Sequence, residues 1–155
     1  MDTFHLAQIN IARLIAPLDD PKTADFVAQL DSINQLADAS PGFVWRLQSD
    51  NGNATDLSYC DDPFVIVNMS VWDSIEALKN FTYKSQHLQV FRDRNRWFEK
   101  MTLPHYCLWW IPAGHRPAIA EGRDRLACYQ RHGSTPEAFW FAEWHPAPPS
   151  CLALR

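Results

Sequence analysis

Val67 to Trp72, VNMSVW, puts Asn68, Ser70 and Trp72 on one side of an extended chain. Val67, Met69 and Val71 fall on the other, because successive side chains of a strand point to opposite faces. An amide and a hydroxyl can hold a carbonyl or an oxyanion, and an indole can stack on a planar ring. The stretch FHLAQINIARL repeats the pattern: Ala7, Ile9 and Ile11 alternate with Leu6, Gln8, Asn10 and Ala12. Downstream, His87 is a group that titrates near neutral pH. Arg94 follows about two helical turns later, and Tyr83 lies just before. Buried amides without partners cost roughly 1–3 kcal/mol each. Gln8, Asn10, Asn68 and Ser70 on one sheet face therefore require each other, water or a ligand. They read either as polar core residues bonded to one another or as the wall of a pocket, and as a set they favour the pocket. Its chemistry suits an oxygenated aromatic or other planar ligand.

The elements that must position these residues follow from periodicity. The first strand is FHLAQINIARL. Asp20 caps a helix that begins with Pro21, and Phe26, Leu30, Ile33 and Ala37 form its inner stripe. PGFVWRLQ reads as a second strand, followed by the turn Asp50-Asn51-Gly52-Asn53. FVIVNMSVW is a β-branched third strand. Asp73 with Glu76 resembles a capping box for a second helix. That helical region is expected to run to about Lys100 with a break near Tyr83, its inner face marked by Leu88, Phe91, Asn95 and Phe98. LPHYCLWWI is a fourth strand, Pro117 to Arg131 a third helix ending at Gly133, and EAFWFAEW a short strand or irregular covering segment. The order β-α-β-β-α-β implies an α+β, ferredoxin-like antiparallel sheet with helices on one face. Val65, Val67, Met69 and Val71, extended by Ile9 and Ile11, leave the second face apolar. A second copy packed sheet to sheet would cover it, so a homodimer is expected. Residues 1–144 form one domain, and 145–155 a proline-rich, disordered tail.

At 155 residues with 46% hydrophobic content, the chain can bury one sizeable core. The net charge of −4 gives no reason to expect nucleic acid or an anionic membrane as partner. RDRNR, Arg92 to Arg96, reads as a solvated helix face. No apolar run approaches the ~20 residues a bilayer requires, and none resembles a signal peptide, so the expected compartment is the cytoplasm. Cys60, Cys107, Cys128 and Cys151 are scattered and read as structural thiols. His5, His105, His115, His132 and His145 show no zinc spacing, and no metal site is expected. No nucleotide-binding or hydrolase motif occurs. Seven tryptophans is high for this length; such rings serve cores and ligand sites alike.

Several stretches together carry a resemblance: HLAQINIARLIAPLDDP, SPGFVWRL, VNMSVWDSIEALKNF, His87 to RNRWFEKM, LWWIPAGH and STPEAFWF. They resemble a bacterial family described as domain of unknown function 3291, from about Phe4 to Phe141. That family is similar to the dimeric α+β barrel proteins, which include antibiotic biosynthesis monooxygenases and haem-degrading monooxygenases. The resemblance implies the same dimer as the patterning. Asn68 and Trp72 resemble the Asn and Trp of cofactor-independent quinone-forming members, with Tyr83 and Arg94 as candidates for their tyrosine and arginine. Asn10, Trp72 and His87 resemble the site of haem-degrading members, although the interval from Trp72 to His87 is longer.

The leading expectation is a cofactor-independent monooxygenase-like enzyme acting on an electron-rich phenol or polyketide-like aromatic. Asn68 would bond a carbonyl or developing oxyanion, His87 would take the phenol proton, and Trp72 would stack on the ring. Gln8, Asn10, Ser70, Tyr83 and Arg94 would contact substrate. Three alternatives share the site: a haem-binding or haem-degrading protein with His87 as axial ligand, a non-catalytic metabolite-binding dimer, and a non-oxidative isomerase or cyclase. Fold alone does not choose among them.

Overall fold

The computed structural model describes residues 3–84 and 92–149. Its elements are β1 (Phe4–Arg13), α1 (Ala24–Asp38), β2 (Phe43–Arg46), β3 (Val65–Trp72), α2 (Ile75–Lys84), β4 (Tyr106–Pro112) and α3 (Ile119–His132). The strands pair antiparallel in the order β2-β3-β1-β4, so β1 and β3 are central. This is the ferredoxin-like arrangement, with α3 appended.

Register fixes the site. Leu6 lies opposite Trp72, Gln8 opposite Ser70 and Asn10 opposite Asn68. Across the other edge of β1, Gln8 faces Leu108 and Asn10 faces Tyr106. Arg46 of β2 lies opposite Ser70. The face carrying these even-numbered residues lies under α1 and α2. At one end Leu6, Trp72, Leu78, Leu108 and Phe139 pack together. At the other, Leu14, Phe26 and Trp97 do, with Leu30, Ile66 and Phe98 against them. The polar residues form a band between two apolar clusters.

The opposite face overturns one expectation. Ile9, Ile11, Val67, Met69 and Val71 do not await a partner, because α3 of the same chain covers them. Its residues Ile119, Gly122, Leu126 and Tyr129 form a helical stripe, and Met69 and Ile9 beneath it are 0% exposed. Gly122 permits this approach: a Cβ there would sit 2.8 Å from Ile9 Cδ1 and from Met69 Sδ. Glu121 pins the start of α3 by accepting from Trp109 Nε1 at 2.9 Å and pairing with His115 Nε2 at 2.6 Å. Arg123 donates through Nη2 to the Tyr59 carbonyl at 2.6 Å, fastening the outer side to the β2–β3 connection. The sequence pattern showed that this face is apolar; it did not show that the third helix, reached through the Gly114 turn, folds back over it.

Other boundaries are refined. Asp20 accepts from Lys22 N at 2.8 Å, and Pro21 starts a single 3-10 turn that feeds α1. The cap of α2 is Ser74, whose Oγ accepts from Ala77 N at 3.1 Å, rather than Asp73. Asp73 N instead donates to Gly42 O at 2.8 Å, tying the α1–β2 turn to the start of α2. The helix expected to reach Lys100 does not: α2 is described as Ile75–Lys84, residues 94–96 form one 3-10 turn, and Phe98 bridges to Leu14. Glu99 N donates to Arg13 O at 2.8 Å, so this segment prolongs the sheet edge. Leu88 and Phe91 lie outside the described residues. EAFWFAEW is irregular, with Phe139 exchanging backbone bonds with Leu108 at 2.8 and 3.0 Å and so covering the free edge of β4. Among the described residues, no helix is long and apolar enough to cross a membrane.

Candidate functional site

Between the polar band and the two covering helices lies a cavity of about 610 Å³. Its floor includes Gln8, Asn10, Asn68 and Ser70; its roof is the inner stripe of α1, Phe26, Leu30, Ile33 and Ala37; Leu78 and Phe81 of α2 close one side. A volume of this order suits a small organic ligand. Arg94, His105 and Tyr106 stand on the opposite wall. Tertiary pairing thus brings four polar side chains, in two pairs about sixty residues apart in sequence, into one patch.

The patch is internally bonded. Trp72 Nε1 donates to Ser70 Oγ at 2.8 Å. Gln8 Nε2 donates to Ser70 Oγ at 2.8 Å and to Asn68 Oδ1 at 2.6 Å. Asn10 Nδ2 donates to Gln8 Oε1 at 3.1 Å and to Asn68 Oδ1 at 3.2 Å. Both N–H groups of Gln8 are therefore engaged. Asn68 is exposed to the cavity even though its strand is central. Among the described residues its Nδ2 has no hydrogen-bond partner, so it aims two N–H donors at whatever occupies the space.

Arg46 borders the band but is committed elsewhere. Its Nε donates to Asp38 Oδ1 at 2.8 Å and its Nη1 to Gly52 O at 2.7 Å, which clamps the end of α1 to the β2–β3 connection. His105 is one of the titratable groups on the lining. Partial burial holds its pKa below the usual imidazole value; a backbone hydrogen bond at Leu103 opposes this, and the nearby Arg94 charge adds to the lowering. It is a neutral imidazole at physiological pH, packed edge-on against Tyr106 with ring centroids 4.8 Å apart.

The residues expected from sequence divide accordingly. Gln8, Asn10, Asn68, Ser70 and Arg94 line the cavity. Trp72 does not: it is 0% exposed, stacks on Phe81 at 5.1 Å and meets Phe43 edge-on at 5.5 Å. Its ring is enclosed in the core and cannot stack on a ligand; its contribution is the indole N–H given to Ser70. Tyr83 sits on the outer side of α2, half-exposed, with its ring against Phe141 at 5.8 Å. It is absent from the cavity wall. His87 lies outside the described residues. His105 was passed over because a lone histidine before a strand carries no spacing signal; its place opposite Ile11, whose N–H donates to the His105 carbonyl at 2.8 Å, comes from β1–β4 register.

Among the described residues there is no cluster of three or more groups able to hold a metal ion. Cys107 is buried beneath α3 with its thiol pKa pushed up to about 12 by desolvation, and Cys60 and Cys128 are free thiols. Cys151 lies outside the described residues.

A family model described as domain of unknown function (DUF3291) matches residues 5–152. The chain belongs to this family. Among curated proteins none matches it. Similar solved structures include PA3566 from Pseudomonas aeruginosa, at 14% identity and a TM-score of 0.45 over 75% of this chain and 97% of that one. The "Putative antibiotic biosynthesis monooxygenase from Nitrosomonas europaea" is 15% identical, with a TM-score of 0.43 over 74% of this chain and 92% of that one. Rv0793 from Mycobacterium tuberculosis is 14% identical, with a TM-score of 0.45 over 74% and 99%. For this DUF3291 chain the ferredoxin-like architecture stands on its own strand order and register.

Proposed function

We propose that the protein binds a planar, oxygenated small molecule in the cavity above the Gln8–Asn10–Asn68–Ser70 band and oxidises it with dioxygen as a cofactor-independent monooxygenase. The observation that carries this reading is the outward-facing Asn68 amide, held from behind by two accepted hydrogen bonds and, among the described residues, left with unpartnered donors toward a cavity roofed by apolar side chains of α1. Such preorganised donors favour a carbonyl that gains negative charge, because they need no reorganisation as charge develops. The apolar roof favours a ring system. His105, its pKa held below the usual imidazole value by burial, is the lining group we assign to accept the substrate proton. With an anthrone-type substrate, loss of a proton gives an electron-rich enolate stabilised by Asn68. Its carbon bonds dioxygen, and the resulting hydroperoxide loses water to leave a second carbonyl. The substrate supplies all the electrons, so one anthrone and one dioxygen give one anthraquinone and one water.

α3 already fills the face from which a homodimer was expected. The pocket is therefore proposed to be complete within a single subunit. Of the three residues suggesting haem, only Asn10 is described on the lining; Trp72 is enclosed, and His87 lies outside the described residues. The test is dioxygen uptake with anthrone, run beside a haemin titration followed by visible spectroscopy. The reading expects uptake equal to anthraquinone formed, reduced in Asn68→Ala and His105→Gln. A rate no faster than buffer removes the oxidative reading, and a Soret shift saturating at one haemin per chain replaces it with haem binding.

A further inference from the structure

The polar band contains three carboxamides, and a carboxamide keeps its shape when its oxygen and nitrogen exchange places. As described above, Gln8 presents Nε2 to Ser70 and Asn68, and Asn10 presents Nδ2 to Gln8 and Asn68. Turn all three amides together and every one of those bonds survives in reverse. Ser70 O–H and Asn68 Nδ2 then donate to Gln8 Oε1, while Gln8 Nε2 and Asn68 Nδ2 donate to Asn10 Oδ1. The Trp72 indole is unaffected, since it can only donate, and Ser70 Oγ accepts from it at 2.8 Å either way. The two arrangements differ in what they offer the cavity. In the first, Asn68 shows a donor and Asn10 an acceptor; in the second, Asn68 shows the acceptor and Asn10 the donor. Asn10 and Asn68 are direct cross-strand partners, so the two groups stand side by side.

We infer that this network is a reversible hydrogen-bond relay and that the ligand of the site carries one donor and one acceptor on the same edge, in a pair that can exchange by tautomerism. Lactam–lactim edges and enolised 1,3-dicarbonyls have this chemistry. The inference rests on the proposed cavity reading and narrows it. A ligand edge of two acceptors or two donors leaves one Asn unpaired in both arrangements. A mixed edge is satisfied in either order, and the relay turns to follow the tautomer bound. Gln8, buried behind the two asparagines, is a positioning residue: it couples the orientation of Asn10 to that of Asn68. Ser70 and Trp72 anchor the inner end.

The experiment is tryptophan-fluorescence titration with 2-quinolone, N-methyl-2-quinolone and 2,3-dihydroxynaphthalene, on the natural chain and on Gln8→Glu. On the natural chain 2-quinolone is expected to bind at least about tenfold more tightly than its N-methyl form, which has lost the donor of one hydrogen bond. A carboxylate at position 8 only accepts, so it draws the N–H groups of both Asn10 and Asn68 inward and leaves two acceptors facing the cavity. In Gln8→Glu, 2-quinolone should therefore lose ground and 2,3-dihydroxynaphthalene, which offers two donors, should overtake it. Uniform weakening of all three probes in a Gln8→Glu chain whose circular-dichroism melt is unchanged overturns the relay. Equal affinity of 2-quinolone and its N-methyl form on the natural chain also overturns it, while leaving the cavity reading intact. Failure of all three probes to bind contradicts both.

Discussion

Replacing Asn68 by Ala should separate binding from folding, and Trp72→Ala supplies the contrast. Asn68 is exposed to the cavity, so its truncation leaves no buried void. It removes one acceptor, Oδ1, from Gln8 Nε2 and Asn10 Nδ2. One N–H of Gln8 and one of Asn10 lose their acceptor; the Asn10 bond is exposed, so water replaces it, and the part-buried Gln8 bond is the one lost outright. The expected cost is therefore that of about one hydrogen bond, roughly 0.5–1.5 kcal/mol. For a domain of this size that corresponds to roughly 1–6 °C in Tm. Trp72 is enclosed among Phe43, Phe81 and the rest of its cluster, and truncating such a ring costs about 3–5 kcal/mol, or roughly 6–20 °C. For 2-quinolone, loss of the Asn68 bond should raise Kd roughly three- to tenfold. The assays are thermal unfolding by circular dichroism and fluorescence titration. If Asn68→Ala melts as early as Trp72→Ala, Asn68 is a core residue and the pocket argument fails. Unchanged affinity in a well-folded Asn68→Ala refutes the donor role.

Val67→Asp should destabilise the isolated chain by several kcal/mol, because Val67 is 4% exposed in the cluster covered by α3 and the carboxylate would be unpaired; chemical denaturation measures it. Gly42→Ala should also destabilise: Gly42 has φ 84°, and a Cβ there would press on Asp73 and Ala77, so the melt should fall with no change in ligand preference. His105 has a folded-state pKa below its unfolded value, so its contribution to stability is complete above about pH 6.5 and is lost as pH falls through the lower folded value. The acid limb of a Tm–pH profile should therefore be shallower in His105→Gln. Toward a disulfide reagent at pH 8, exposed Cys60 should react at once and Cys107, with its pKa near 12, only on unfolding.

The alternation of β1 and β3 was enough to group Gln8, Asn10, Asn68 and Ser70, because a period of two leaves no freedom about which face a residue takes. The same logic identified an apolar second face at Val67, Met69 and Val71. It could not say what covers that face, since α3 reaches it through a turn whose direction is set by long-range packing around Gly122. Trp72 shared the correct face yet not the correct depth: alternation orders residues along a strand, whereas enclosure by Phe43 and Phe81 depends on where α2 lands. Tyr83 falls off the cavity lining for the same reason. His105 became visible only through register, as its neighbours in sequence carry no periodic signal.

A ligand-bound crystal structure with 2-quinolone tests the central claim most directly. The account predicts the ring beneath α1, against Phe26, Leu30 and Ile33, with its lactam edge bonded to both Asn10 and Asn68. A ring seated elsewhere on the protein, or in the cavity with Asn10 and Asn68 bonded only to each other and to Gln8, would contradict it.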